Sequence, residues 1–547
     1  MKPIDREQPQ DGEVKGDEDG GDELPRQDPL REVHGLDIPP IPLARKVPPP
    51  EDETLFPLRV SPGGSGARAL GVLAVLSLAG YAALAIAGDL KLRLAFFLGC
   101  WILLSLLYIA SLLFVQRSRP TRSAVGVVLG GALCFRLTML LAPPTLSEDI
   151  HRYVRDGWVQ VNGHNPYLNA PDDPALASLR LPDHSLINNP SIPTLYPPLA
   201  EALFAAAAFV RPSVFAVKCM LALFESSIVL LLLRWLRRSE RNPLGVIVYA
   251  WHPLAVVEGV GSGHVDVLGA MFLVLAVLSI IEGRKIASSA WLAASALAKL
   301  APLLLLPFFA RRWKLLHVTF FAAILIAASG PYIAGAGTHC FEGLGHYFTR
   351  WEFNGSIYPL LEAGIDRLQP TEPLKDRLTK LKRALNEPDF LQSLYRWLYP
   401  PYLARGVAAA LLLLVVGWIA ISNMAPEREI FLALAAMLLL SPTLHPWYLL
   451  WILPFFVLLG AGPVLPAPER VPRHLFPPPS PGPGSWSGPA WLWLSLAVPL
   501  SYLALPSPSR PSAEVPQWAR LVEYVPMVPL ALLGRWSSTR QHGGGSS

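Results

Sequence analysis

The stretch APPTLSEDIHRYVRDGWVQVNGHNPYLNAP (residues 142–171) follows without a break on the apolar run AVGVVLGGALCFRLTMLL (124–141). Two adjacent carboxylates, Glu148 and Asp149, thus stand a helical turn or so beyond what reads as a membrane exit. A charge at the centre of a membrane helix costs about 2.5–3.5 kcal/mol on insertion scales, and less toward the interface. Either the pair is simply in water, or it is held at the boundary because chemistry is needed there.

The rest of the chain fits a membrane reading. Of its 547 residues, 52% are hydrophobic and only 16% charged, and the mean hydropathy is +0.37. An ordinary soluble domain carries about a quarter charged residues. The apolar residues fall in runs at 69–88, 92–115, 123–143, 213–233, 243–257, 264–281, 315–336, 403–422, 430–444, 446–462 and 489–505. A run of ~20 residues covers the hydrocarbon of a bilayer, and only helices or closed barrels satisfy their backbone there. The expected fold is an all-α polytopic membrane protein with about 11–13 crossings, plus re-entrant or juxtamembrane helices.

Residues 1–66 are acidic and then Pro-rich, and a disordered tail is expected there. The membrane domain is expected over 67–535, with a flexible tail at 536–547. The four cysteines suggest no disulfide framework. The net charge of +5 is best used to orient helices, not to argue for nucleic acid.

Basic clusters at 116–122, 234–241, 282–285, 310–314, 426–429 and 469–474 favour the cytoplasm. One topology places them all inside, with both termini cytoplasmic and long extracytoplasmic loops at 144–195 and 337–401. It requires the segment YPPLAEALFAAAAFV (196–210) not to cross, and the run 287–309 to break near Lys299 and Pro302. Under that topology the conspicuous polar residues gather on one side: Glu148, Asp149, Tyr196, His264, Asp266, Lys299, Arg350, Asn354 and His445.

Carboxylates, cations and histidines at an outer membrane face suit a substrate with an anionic head and a lipid tail, such as a polyprenyl-phosphate sugar. A departing phosphate needs cations. The acceptor hydroxyl needs a base, and direct displacement with one base inverts the anomeric centre. Asp149 is expected to be that base, with Glu148 as a second acid or acceptor-positioning group; the same residues also suit a helix N-terminus capped by Ser147. Arg152 and Asp156, four apart, suit an ion pair, and Arg155 either a phosphate contact or a solvated face. His264 and Asp266 are candidates for substrate contact, with helix capping the first reading of Asp266. Lys299 is expected to bind phosphate or to form a structural ion pair. His445 is expected on phosphate or sugar, with Trp447 and Tyr448 beside it and Trp451 in an interfacial aromatic belt. Arg350 and Asn354 are further candidates. No metal or cofactor is expected.

Taken in order, LSEDIHRYVRDGWVQVNGHNPY, YPPLAEALF, GSGHVDVL, ALAKLAPLLLLP, EFNGSIYPLL and SPTLHPWYLLWILP resemble the motifs of bacterial GT-C-type mannosyltransferases, which are fed by polyprenyl-phosphate sugars. The resemblance covers roughly 123–460 and leaves the first two spans outside. It maps the catalytic acid of the first large outer loop onto Asp149, and the residues near the lipid phosphate onto Lys299 and His445. The family pattern reads Ser-Asp-Asp followed by an aromatic; here Glu148 replaces the first Asp and His151 the aromatic. The resemblance implies an inverting transferase in the plasma membrane, with its active site on the extracytoplasmic side. It would move a hexose, mannose first, from a polyprenyl-phosphate donor to a lipid-linked or envelope glycan. The rival reading is a transporter or flippase of a lipid-linked sugar, since broken helices and buried charges also mark transporters.

Overall fold

Helix α2 (Leu94–Gln116) carries Phe97, Trp101, Leu104, Tyr108, Leu112 and Val115 on one buried face. Its opposite face presents Ile102, Leu106 and Leu113, which are exposed. A helix that is apolar all round and still has an apolar outer face belongs in lipid. The same holds for α1 (Gly64–Ile86), whose Val72 and Val75 are exposed. The chain is an all-α polytopic membrane protein. Its computed structural model describes residues 64–118, 120–385, 389–460, 488–505 and 514–532. The expected N-terminal tail up to residue 63, the Pro-rich stretch 461–487 and the end of the chain from 533 lie outside them.

Among the described residues no strand forms; only isolated bridges join Phe353 and Asn354 to Thr443. Among the described residues six helices are long and apolar enough to cross a membrane, beginning at residues 66, 94, 122, 214, 315 and 400. A seventh candidate is the pair Pro243–Ala250 and Ala255–Ser262, bent by 57° at a break that contains Pro253. Several expected spans form shorter helices instead: Asp266–Ile281, Pro426–Leu440 and Gly488–Ala497. In 446–462, Pro446 and Pro454 restrict the run to a short tight turn and a short helix. The segment 196–210 does form a short helix, α5 (Pro198–Val210). The run 287–309 breaks where expected: one helix ends at Ala298, Lys299 is extended, and Pro302 opens the next turn. The loop 337–401 is itself mostly helical.

The core is braced by buried charge. On α3 (Arg122–Leu140), Arg136 forms a bidentate ion pair with Glu225 of α6 (Val214–Arg238) and donates to the Ala250 carbonyl at 2.7 Å. The two residues are 4% and 0% exposed. Lys218 of α6 donates to the carbonyls of Met139 and Ala142 at 2.9 and 2.6 Å. That cation closes the C-terminal end of α3, where carbonyls lack helical partners. Below it, α4 (Asp149–Val161) crosses α5 so closely that a Cβ on Gly157 would lie 2.1 Å from the Phe204 carbonyl oxygen.

Candidate active site

Pro143 and Pro144 follow α3 and discourage its continuation. The chain then turns through Ser147, whose Oγ accepts the Asp149 N–H at 3.3 Å, and α4 begins. This entry loop is tied to the turn between α1 and α2: Leu90 N–H donates to Thr145 Oγ1 at 2.9 Å, and Lys91 pairs with Glu148. Asp149 points onto a cavity of about 830 Å³, where one carboxylate oxygen accepts from Asn188 Nδ2 at 3.1 Å.

The same cavity is lined by Glu148, Tyr196, Asp266, Lys299, Arg350, His445 and Trp447. Eight expected site residues, Asp149 among them, therefore share one wall system. The Lys299 ammonium contacts both oxygens of Asp266 at 2.7 and 2.8 Å and lies 4.6 Å over the Tyr448 ring. Asp266 also accepts from Trp451 Nε1 at 2.7 Å. Asp266 thus holds Lys299 and Trp451, and its side chain caps no helix. Trp451 is buried, not part of an interfacial belt. Arg350 is exposed on the cavity rim and makes no ion pair with the described residues. His445 sits in the turn after helix Pro426–Leu440, stacked between Phe353 (4.5 Å) and Trp447 (4.3 Å). Burial, with smaller pushes from His264 and Lys299, lowers its pKa to about 3, so the ring is a neutral donor or acceptor and not a cation. Apolar side chains complete the wall, among them Leu304, Leu344, Phe348, Leu412, Met437 and Leu438.

Three expected site residues do not line the cavity. Arg152 donates to the carbonyls of Asn188, Asn189 and Ile192 at 2.8–2.9 Å, and so holds the loop that brings Asn188 to Asp149. It does not pair with Asp156, which takes the buried Arg155 instead at 2.9 Å. Arg155 is accordingly neither solvated nor at the cavity. Asn354 is buried and donates to Glu523 at 2.7 Å. His264 lies behind Asp149, with its Nδ1 3.9 Å from Asp149 Oδ2. Sequence reasoning missed Lys91 and Asn188. Nothing marks either locally, because both sit in ordinary turns. Among the described residues no three of His, Cys, Asp or Glu converge as metal ligands.

Such a site can hold an anion at Arg350 and Lys299, accept a proton at Asp149 and accommodate an apolar chain between helices. Residues 63–315 match the model of the MptA_B family, described as alpha-(1->6)-mannopyranosyltransferase, N-terminal domain. No curated protein matches the chain. The family match bears out the resemblance to mannosyltransferases and supports mannosyl transfer by a membrane glycosyltransferase. It also corrects where that resemblance begins. The match takes in α1 and α2, in keeping with the Lys91–Glu148 contact, and stops short of Arg350, His445 and Trp447.

Proposed function

We propose that the protein is an inverting mannosyltransferase that moves mannose from a polyprenyl-phosphate donor to a lipid-linked or envelope glycan, at the extracytoplasmic face of the plasma membrane. Asp149 takes the proton of the acceptor hydroxyl as its oxygen attacks the anomeric carbon. The bond to the donor phosphate breaks, and the phosphate leaves toward Arg350 and Lys299, with His445 as a neutral hydrogen-bond donor. Leu304, Leu412, Met437 and Leu438 offer the apolar surface for the start of the isoprenoid chain. The family description suggests an alpha-(1->6) product. Direct displacement forms an α bond only from a β-configured donor, so the donor is the β-phosphate.

The observation that supports this reading is the meeting, on one cavity, of a carboxylate oriented by Asn188, cations, and an apolar wall. The experiment is transfer from polyprenyl-phosphate [14C]mannose by the purified protein. Asp149→Asn keeps the shape of the side chain, and is expected to bind donor normally while losing transfer by about 10²–10⁴-fold. Wild-type transfer by that variant would remove the mechanism. Donor translocation without transfer would favour the transporter.

A further inference from the structure

Behind Asp149, away from the cavity, four buried polar atoms lack a well-formed hydrogen bond: both carboxylate oxygens of Glu258, which the Tyr502 hydroxyl also approaches, and both ring nitrogens of His264. Both residues are buried, His264 at 1% exposure. Buried polar groups are nearly always satisfied, and exceptions point to strain or function. Three of these atoms lie in sequence from Glu258 to Asp149. His264 Nε2 faces Glu258 Oε2 at 3.4 Å, and His264 Nδ1 faces Asp149 Oδ2 at 3.9 Å. A carboxylate–imidazole–carboxylate row therefore runs from the cavity wall into the protein.

The backbone is arranged to build this row. Glu258 lies in a π-helical turn, Ala255–Ser262, a rare conformation that recurs at functional sites. Its carbonyl accepts the His264 N–H at 3.2 Å. Gly263 between them has φ +73°, and a Cβ there would lie 2.7 Å from Ile150 Cδ1. The turn is thus pressed against the start of α4, next to Asp149. Trp447 stacks on His264 at 3.9 Å and fixes its ring plane.

We propose that His264, oriented by Glu258, receives the proton that Asp149 removes from the acceptor, which makes His264 and Glu258 positioning residues for the base. The inference rests on the reading of Asp149 as that base. Glu258 beside Nε2 selects the tautomer with its hydrogen on Nε2, and leaves the Nδ1 lone pair toward Asp149. While Asp149 is ionised, a carboxylate and a lone pair face each other with no proton to share, which accounts for their separation. Once Asp149 carries the acceptor proton, its O–H has an acceptor in Nδ1. In the full step the acceptor O–H bond breaks and its proton passes through Asp149 to His264. The acceptor oxygen forms the new glycosidic bond, and the electrons of the old C–O bond leave with the phosphate. The imidazolium is held between two carboxylates, and its proton returns to water through Asp149 as products depart.

The test compares Glu258→Gln and His264→Gln with wild type in donor binding, transfer kinetics and solvent deuterium isotope effect. Both variants are expected to bind donor normally, to lose about 10–100-fold in kcat and to show a larger isotope effect, because proton transfer becomes the slow event. Wild-type kcat would overturn the relay. So would a lower kcat with an unchanged isotope effect, which marks a structural role. If Glu258→Gln loses donor binding, Glu258→Asp is measured in the same way, and loss of binding there also overturns the proposal. Failure of the underlying reading is distinct: Asp149→Asn would then retain transfer. If Asp149→Asn is inactive while both relay variants turn over normally, only the relay fails.

Discussion

Lys299 has three N–H donors, and the Asp266 carboxylate takes two of them. No carboxylate takes the third, so the ion pair is compatible with the proposed phosphate contact. Lys299→Met would leave Asp266, whose side chain is 1% exposed, with only the Trp451 N–H as its donor. Breaking a buried pair from one side costs about 3–5 kcal/mol, whereas replacing both partners with apolar residues is often neutral. Lys299→Met is therefore expected to lower the melting temperature in detergent. The double variant Lys299→Met with Asp266→Leu is expected to recover it, and neither is expected to regain wild-type affinity for polyprenyl-phosphate mannose. If the double variant binds donor normally, Lys299 has no part in phosphate binding. At this scale the sequence was readable where a charge interrupts an apolar run, as at Asp149 and Lys299. Other residues that hold the site together were not readable. Lys91, which pairs with Glu148, and Asn188, which meets Asp149, come from segments distant in sequence, and Glu258 reaches His264 only through an unpredicted π-helical turn. Spacing also misled: Arg152 and Asp156 are four apart on α4, yet three loop carbonyls hold Arg152 and the adjacent Arg155 holds Asp156.

Two of the ion pairs that join helical elements differ in burial, and burial separates their worth. Arg136 and Glu225 tie α3 to α6 with almost no exposure. Lys91 and Glu148 tie the α1–α2 turn to the start of α4, at 19% and 41% exposure. An exposed pair is worth about 0–1 kcal/mol, whereas a half-broken buried one costs about 3–5 kcal/mol. Glu225→Ala is thus expected to shift the thermal unfolding midpoint strongly and Lys91→Gln hardly at all. Equal shifts would mean that burial is not what sets these energies. Helices were the most readable feature of the sequence, because long apolar runs leave the backbone few alternatives in lipid. Their interruptions were only partly readable. The break at Lys299–Pro302 follows from a proline and a charge in one run. The π-helical turn at 255–262 follows no such signal, because its residues are apolar or small apart from Glu258. Hydropathy alone does not register the tight turn and short helix into which Pro446 and Pro454 divide residues 446–458.

The family match ends at residue 315, yet the cavity wall is completed by residues far beyond it, and these are anchored from near the far end of the chain. Asn354 follows Trp351, Glu352 and Phe353 on the wall, and has φ +50°, a left-handed conformation that Asn tolerates better than most residues. Helix Gln517–Tyr524 grips it from two sides: Glu523 accepts its amide at 2.7 Å, and the Tyr524 hydroxyl donates to its carbonyl at 2.6 Å. Phe353 next to it stacks on His445, so the grip reaches the proposed phosphate end of the site. Burial pushes the Glu523 carboxyl up to about 8, against smaller opposing effects from Asn354, the Ser501 backbone and Arg520. In the unfolded chain a glutamate titrates near ~4.3. Between those values the folded state binds more protons than the unfolded state, so this contribution to stability is complete below the unfolded value and declines as pH rises through about 8. Glu523→Gln keeps a neutral side chain at every pH. The wild-type melting temperature is therefore expected to fall more steeply between pH 6 and pH 9 than that of Glu523→Gln. If the grip governs the wall, mannosyl transfer by the wild type should weaken over the same alkaline range while the variant holds its rate. Parallel stability curves for the two proteins would show that Glu523 is ionised in the folded state throughout, and that the terminal helix steadies the cavity by packing alone.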